Sequence, residues 1–165
     1  MNIYISASWK QRERVRALAV LLRRHGHDVY DFTDPDCRNE PEIPPESYPE
    51  QFDPAVHKYR EYLAANPRWR GAVFGNLRAI LDAEAVVLLL PAGCDSHADW
   101  GVAVGLGKPT VVVGHPAAGE RTPSHLWANS MLDHDYEVVE ALKSLREQCP
   151  SIFSNVVREF NGGLG

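Results

Sequence analysis

The longest uninterrupted apolar run in the chain, Ala85-Val86-Val87-Leu88-Leu89-Leu90, constrains the fold more than any other feature. It is far below the length needed to cross a bilayer, and a continuous apolar run of this size is typical of a strand covered on both faces. Strands of that kind belong to parallel sheets enclosed by helices. The flanking segments agree. Asn2 to Ala7, short and apolar with β-branched and aromatic members, reads as another buried strand. Ser8 stands three residues before Gln11 in a capping-box arrangement, Val15, Leu18, Ala19 and Leu22 recur at helical spacing, and Gly26 is a helix stop. With His27 to Phe32 as a second strand, this makes a strand–helix–strand start of the parallel type.

Beyond the apolar run, a helix over Ser96 to Gly107 and a strand over Thr110 to Gly114 complete a further unit of the same kind. Helices are expected over Arg70 to Ala83, with Val73, Leu77, Ile80 and Leu81 on one face, over Ser124 to Leu132 as a short stretch, and over Glu137 to Gln148. The alternation predicts an α/β fold: a flavodoxin- or Rossmann-like, doubly wound, mainly parallel sheet with helices on both faces. Half of the 12 prolines fall between Asp34 and Pro54, which predicts a long loop of the lid or binding type ahead of helical spacing in Ala55 to Ala65. Ile152 to Phe160 offers one more helix, and 161–165 a flexible tail.

Length and charge limit the function. With 165 residues, 44% of them hydrophobic, the chain suffices for one core, so a single domain over 1–160 is expected. The net charge of −5 argues against a nucleic-acid polymer as partner. Met1-Asn2-Ile3-Tyr4-Ile5 lacks the basic start of a signal peptide, and no membrane segment is readable. Cys37, Cys94 and Cys149 are widely spaced without a C-x-x-C, and His25 and His27 have no third ligand, so neither disulfides nor a metal site are expected. A reducing, cytoplasmic setting fits. No cofactor is implied.

In an open parallel sheet, ligands lie beyond the carboxyl ends of the strands, where helix N-termini converge. Three loops satisfy that rule: Ala7-Ser8-Trp9, Asp31-Phe32-Thr33 and Gly93 to Asp99. They gather aromatic faces from Trp9, Tyr30 and Phe32, carboxylates from Asp31, Asp95 and Asp99, and the hydroxyls of Ser8 and Ser96. That mixture suits a ligand with a flat base and a polyhydroxylated ring. Each residue also has a structural reading. Ser96-His97-Ala98-Asp99 is itself a capping box, Asp95 an N-cap or Asx-turn candidate, and Ser8 a cap. Tyr30 and Phe32 alternate along a strand and could share one core face. Trp9 could equally be packing, and His97 a surface residue. Gly101 and Gly105 read as a close-packing pair, and Lys108 as a favourable charge at the end of its helix.

Four blocks then stand in order: Ile3-Tyr4-Ile5-Ser6-Ala7-Ser8-Trp9-Lys10, Gly26-His27-Asp28-Val29-Tyr30-Asp31-Phe32, Leu90-Pro91-Ala92-Gly93 with Ser96-His97-Ala98-Asp99-Trp100-Gly101, and Gly107-Lys108-Pro109. Together they resemble the nucleoside 2-deoxyribosyltransferase-like family over roughly the first 115 residues. The resemblance implies cleavage or transfer at the N-glycosidic bond of a nucleoside or nucleoside 5′-monophosphate, in a homo-oligomer. It places Asp99 where relatives carry a nucleophilic Glu, two residues before Gly101, and Asn76 where they usually have an Asp. It marks Tyr4, Tyr30, Asp31 and Phe32 as pocket-lining and Ser8 with Trp9 as the loop that approaches the ligand. Asp95, Ser96 and His97 complete the expected binding set. Two other functions stay open: a nucleotide-binding sensor with reduced chemistry, motivated by Asp99 and Asn76, and, by fold analogy alone, an NAD-cleaving enzyme like Toll/interleukin-receptor-type domains.

Overall fold

The computed structural model describes residues 1–34 and 67–148. The Pro-rich loop after Asp34, the helical spacing of Ala55 to Ala65, the helix over Ile152 to Phe160 and the tail lie outside the described residues, as do Cys37 and Cys149.

Five strands form one sheet: β1 (Asn2–Ser6), β2 (Asp28–Tyr30), β3 (Ala85–Leu89), β4 (Thr110–Val113) and β5 (Ser130–Leu132). Their order is β2-β1-β3-β4-β5, and every neighbouring pair is parallel. This is the flavodoxin-type order, with its switch point between β1 and β3. Among the described residues four α-helices accompany it: α1 (Arg12–Arg24), α2 (Pro67–Asp82), α3 (Cys94–Gly105) and α4 (Val138–Gln148).

The alternation of side chains along each strand divides the core in two. Ile3, Ile5, Ala85, Val87, Leu89, Val111 and Val113 meet Val15, Leu18, Ala19 and Leu22 of α1 and Val138, Leu142 and Leu145 of α4. Tyr4, Val86, Leu88 and Val112 face the other way, against Ile80 of α2 and Trp100 and Ala103 of α3. Every residue of β3 is buried, which is why its sequence shows no polar alternation.

Several boundaries differ from the sequence reading. β2 stops at Tyr30, so Tyr30 and Phe32 do not share a face: Tyr30 joins the α2–α3 side and Phe32 the α1 side. The stretch Ser124 to Leu132 is not a helix. A 3₁₀ turn, Pro123–Trp127, is capped by Thr122, whose hydroxyl oxygen accepts from the Ser124 N–H, and the extended backbone at Ala128 ends it. The chain then adds β5 at the sheet edge, a strand only three residues long that has too few positions to display a period. α3 begins earlier than expected, with Gly93 as its N-cap. Gly101 and Gly105 do not mark close packing, since a Cβ on either would meet nothing within 4 Å.

Candidate functional site

β1 and α3 bring the central pair together. Tyr4 sits mid-strand, opposite Tyr30 of β2 and Val86 of β3, with its ring on the α2–α3 face and only 1% exposed. Its hydroxyl donates to Oδ2 of Asp99, in the second turn of α3, at 2.6 Å. Asn76 of α2 reaches the same oxygen from its Nδ2 at 3.4 Å, a long and therefore weak bond. Oδ1 accepts no hydrogen bond from the described residues. The Tyr30 ring stacks beside Tyr4 with centres 5.6 Å apart, and its hydroxyl lies 3.6 Å from where a Cβ on Gly75 would stand. Three elements, β1, α2 and α3, thus converge on one carboxylate.

The capping-box reading of Asp99 fails on this geometry. Its side chain crosses to β1 and α2, and the N-cap of α3, Gly93, offers no side-chain bond. Burial raises the Asp99 pKa above the ordinary carboxylate value; the Tyr4 hydrogen bond opposes this, the charge of Asp95 adds to it, and the Asn76 bond opposes it. Burial also pushes the Tyr4 phenol well up, reinforced by the Asp99 charge, so Tyr4 remains a protonated donor across the physiological range.

The other sequence candidates fall into separate places. Asp95 is exposed in the first turn of α3, where its charge complements the helix dipole without capping it. Ser96 is buried, and its backbone carbonyl accepts from the Ser6 hydroxyl at 3.0 Å, tying α3 to β1. His97 is half-buried and partnered: its Nδ1 contacts the Gly93 carbonyl and its Nε2 contacts Nε2 of His125. Asp31 is 2% exposed and forms an Asx turn at the end of β2, its Oδ1 accepting from the Thr33 N–H at 2.8 Å and the Thr33 hydroxyl at 2.7 Å.

Ser8 does cap a helical turn, but the turn is the 3₁₀ segment Trp9–Gln11, and Ser8 accepts from the Lys10 N–H. The capping box with Gln11 does not form, because the Gln11 side chain bonds the Leu89 and Pro91 carbonyls. Trp9 and Phe32 pack against each other at 5.9 Å, on the α1 side. The structure therefore brings Tyr4, Tyr30, Asn76 and Asp99 together and puts Ser8, Trp9, Asp31 and Phe32 with α1 and the end of β2.

His125 and Asp135 carry no sequence signal, because their partners His97 and Arg14 stand far away in the chain, and nothing in the spacing of Gln11 and Arg14 points to the carbonyls after β3. Among the described residues, no three His, Cys, Asp or Glu side chains cluster as a metal site would require. No described helix is long and apolar enough to cross a membrane.

No protein-family model matches the chain. No curated protein matches it either. Among solved structures, the chain is similar to a CMP N-glycosidase from Clostridium botulinum, BcmB, at 13% sequence identity over 86% of this chain and 97% of that one, with a TM-score of 0.48. The α/β class itself rests on the strand order: a five-stranded, all-parallel, flavodoxin-type sheet.

Proposed function

We propose that the protein cleaves or transfers at the N-glycosidic bond of a nucleoside or nucleoside 5′-monophosphate, with Asp99 as the carboxylate beneath the sugar. The observation that carries this reading is the division of labour between the two carboxylate oxygens. Oδ2 is held by Tyr4 and Asn76, which fixes the group's orientation, and Oδ1 is left without a hydrogen bond among the described residues. A reacting oxygen needs that combination of a fixed carboxylate and an open lone pair.

In the proposed reaction Oδ1 stabilises or captures C1′ as the C1′–N bond breaks, and the base departs with the bonding electron pair. Water attacking C1′ then releases Oδ1 as the free carboxylate and passes a proton to the departed base, which is hydrolysis; a second base attacking C1′ in place of water, with its proton going to the first, gives transfer. Tyr4 holds the carboxylate in place throughout, since its phenol stays protonated. Tyr30, beside Tyr4, supplies an aromatic surface at the same point.

The test is incubation of the pure protein with a panel of nucleosides, deoxynucleoside monophosphates and NAD, following free base by chromatography. Release of base that falls by about a hundredfold or more in Asp99→Asn supports the assignment; release unchanged in that variant removes it. A second reading, a nucleotide-binding module without turnover, draws on Asn76: an amide beside Asp99 cannot pass a proton near neutral pH. Thermal stabilisation by a nucleotide with no base released favours that reading.

A further inference from the structure

We propose that Gln11, at the N-cap of α1, and Arg14 within α1 are positioning residues for Asp99, acting from the opposite face of the sheet by fixing the junction through which β3 enters α3. This rests on the reading of Asp99 as the reacting carboxylate. β3 ends at Leu89 and α3 begins at Cys94, so the segment from Leu90 to Gly93 sets the height and angle of the helix that carries Asp99.

Three successive carbonyls at that junction accept from the first turn and N-cap of α1. Gln11 Nε2 donates to the Leu89 carbonyl at 3.1 Å and to that of Pro91, and Arg14 Nη1 donates to the Leu90 carbonyl at 2.6 Å. A longer β4 would have offered a backbone donor to the Leu90 carbonyl. The β3–β4 ladder ends where Leu90 N–H donates to the Val113 carbonyl; Gly114, at φ +90°, then takes the chain out of the strand before residue 115 could donate to the Leu90 carbonyl, so side chains take over a role the sheet ladder leaves open.

Arg14 is itself fixed. Its Nε lies 3.0 and 2.9 Å from the two carboxylate oxygens of Asp135, its Nη2 lies 2.6 Å from Oδ1, and its Nη1 also donates to Gln11 Oε1 at 2.9 Å. A Cβ at residue 114 would stand 2.8 Å from the Leu90 carbonyl oxygen and 3.1 Å from Arg14 Nη2, so the guanidinium needs the glycine there. The planar fork meets Asp135 through two nitrogens while its third serves Gln11 and Leu90; a lysine ammonium, with a single nitrogen, cannot reproduce that two-pronged contact.

From the other face, Ser6 holds the Ser96 carbonyl and Tyr4 holds Asp99. α3 is gripped at its entry by α1 and along its first turns by β1. A misplacement of ~1 Å at a reacting atom costs on the order of a hundredfold in rate, so loosening the α1 grip should register at Asp99 without any contact to substrate.

The experiment compares the full chain with Arg14→Lys, Asp135→Asn and Arg14→Ala. Two readouts need no turnover: the rate at which Cys94, the exposed thiol opening α3, reacts with a disulfide reagent, read at that residue by mass spectrometry, and the hydroxyl proton of Tyr4 by NMR, expected in the wild type because burial and the bond to Asp99 slow its exchange. Base release is the third. In Arg14→Lys that still melts cooperatively, the Tyr4 hydroxyl proton should broaden or vanish and Cys94 should react about tenfold faster. Its kcat should fall by roughly a hundredfold with KM within about twofold. Asp135→Asn should shift all three in the same direction by less. Millimolar guanidinium added to Arg14→Ala should restore the hydroxyl signal, which a general loosening of the core would not allow.

A folded Arg14→Lys with wild-type thiol rate and wild-type Tyr4 signal overturns the proposal, whether or not the wild type releases a base. Altered thiol and hydroxyl readouts in a protein that releases no base leave the grip on the Asp99 helix standing and refute only the reading of the reaction.

Discussion

Nε2 of His97 and Nε2 of His125 lie 3.1 Å apart, joining α3 to the Pro123–Trp127 turn. Their ring centres are 5.3 Å apart with planes inclined by 25°, close to the nitrogen separation plus one ring radius on each side, so the rings meet end to end. That arrangement is a hydrogen bond with one proton in it. The Gly93 carbonyl can only accept, so His97 carries its proton on Nδ1 in the neutral pair, and His125 must donate from Nε2. Trp100 closes the group, edge-on to His125 and parallel to Trp127.

The pair makes stability depend on pH. Burial lowers the His125 pKa, the neighbouring His97 lowers it further, and Glu120 opposes both. A histidine whose folded pKa lies below its unfolded value of about 6.5 contributes stability that is present above that value and lost as pH falls through the folded pKa. Urea midpoints measured between pH 8 and 5 should therefore decline on the acid side, and His125→Gln should flatten part of that decline. His27, also lowered chiefly by burial, supplies a decline of the same sign that the variant leaves in place. Identical slopes for variant and wild type would refute the assignment to His125.

Asp99 works in the opposite direction. Its pKa is raised, first by burial, so the ionised form costs the folded state free energy: the stability it contributes is complete below its unfolded pKa of about 3.9 and is lost as pH rises through the folded value. Asp99→Asn keeps an acceptor for Tyr4 and removes the buried charge. Its denaturation midpoint at pH 7 should exceed that of the wild type, with the gain shrinking as pH falls toward 4. A loss of stability at pH 7 would show that the charge is better compensated than its burial implies.

Lys108 caps the wrong helix by the sequence reading and the right one in the structure. Its ammonium donates to the Leu81 and Ala83 carbonyls at 2.8 and 2.5 Å, serving the C-terminal end of α2 and not that of α3. Lys108→Met keeps the bulk and strands two carbonyls, so a cost of about 1–3 kcal/mol is expected in equilibrium unfolding. A change within ~0.5 kcal/mol would mean that water replaces the ammonium at no cost.

Gly101 has room for a methyl group within α3, since nothing lies within 4 Å of a Cβ there. Gly101→Ala should stabilise the protein by about 0.5–1 kcal/mol through helix propensity alone. If a thermal melt instead shows destabilisation, the open space beside residue 101 is filled in solution by something the described residues do not include.

The chain's own periodicities determined the architecture. The unbroken apolar run of β3 and the helical stripe Val15, Leu18, Ala19 and Leu22 each encode burial locally, and the parallel sheet with helices on both faces follows from them. Asp99 is legible as a candidate from its place at the start of the helix after β3, and Tyr4 and Asn76 only through the family resemblance. What local pattern does not carry is which way a side chain turns once the helix is placed. Asp99 read equally as a cap, and only the packing of α3 against β1 and α2 directs it to the Tyr4 phenol. The separation of Tyr30 from Phe32 depends on where β2 stops. The His97–His125 and Arg14–Asp135 pairs join residues far apart in the chain, and β5 is a strand by virtue of its pairing with β4. Hydrophobic spacing is written along the chain, whereas hydrogen-bond partners are selected by whichever donors and acceptors the finished core leaves facing one another.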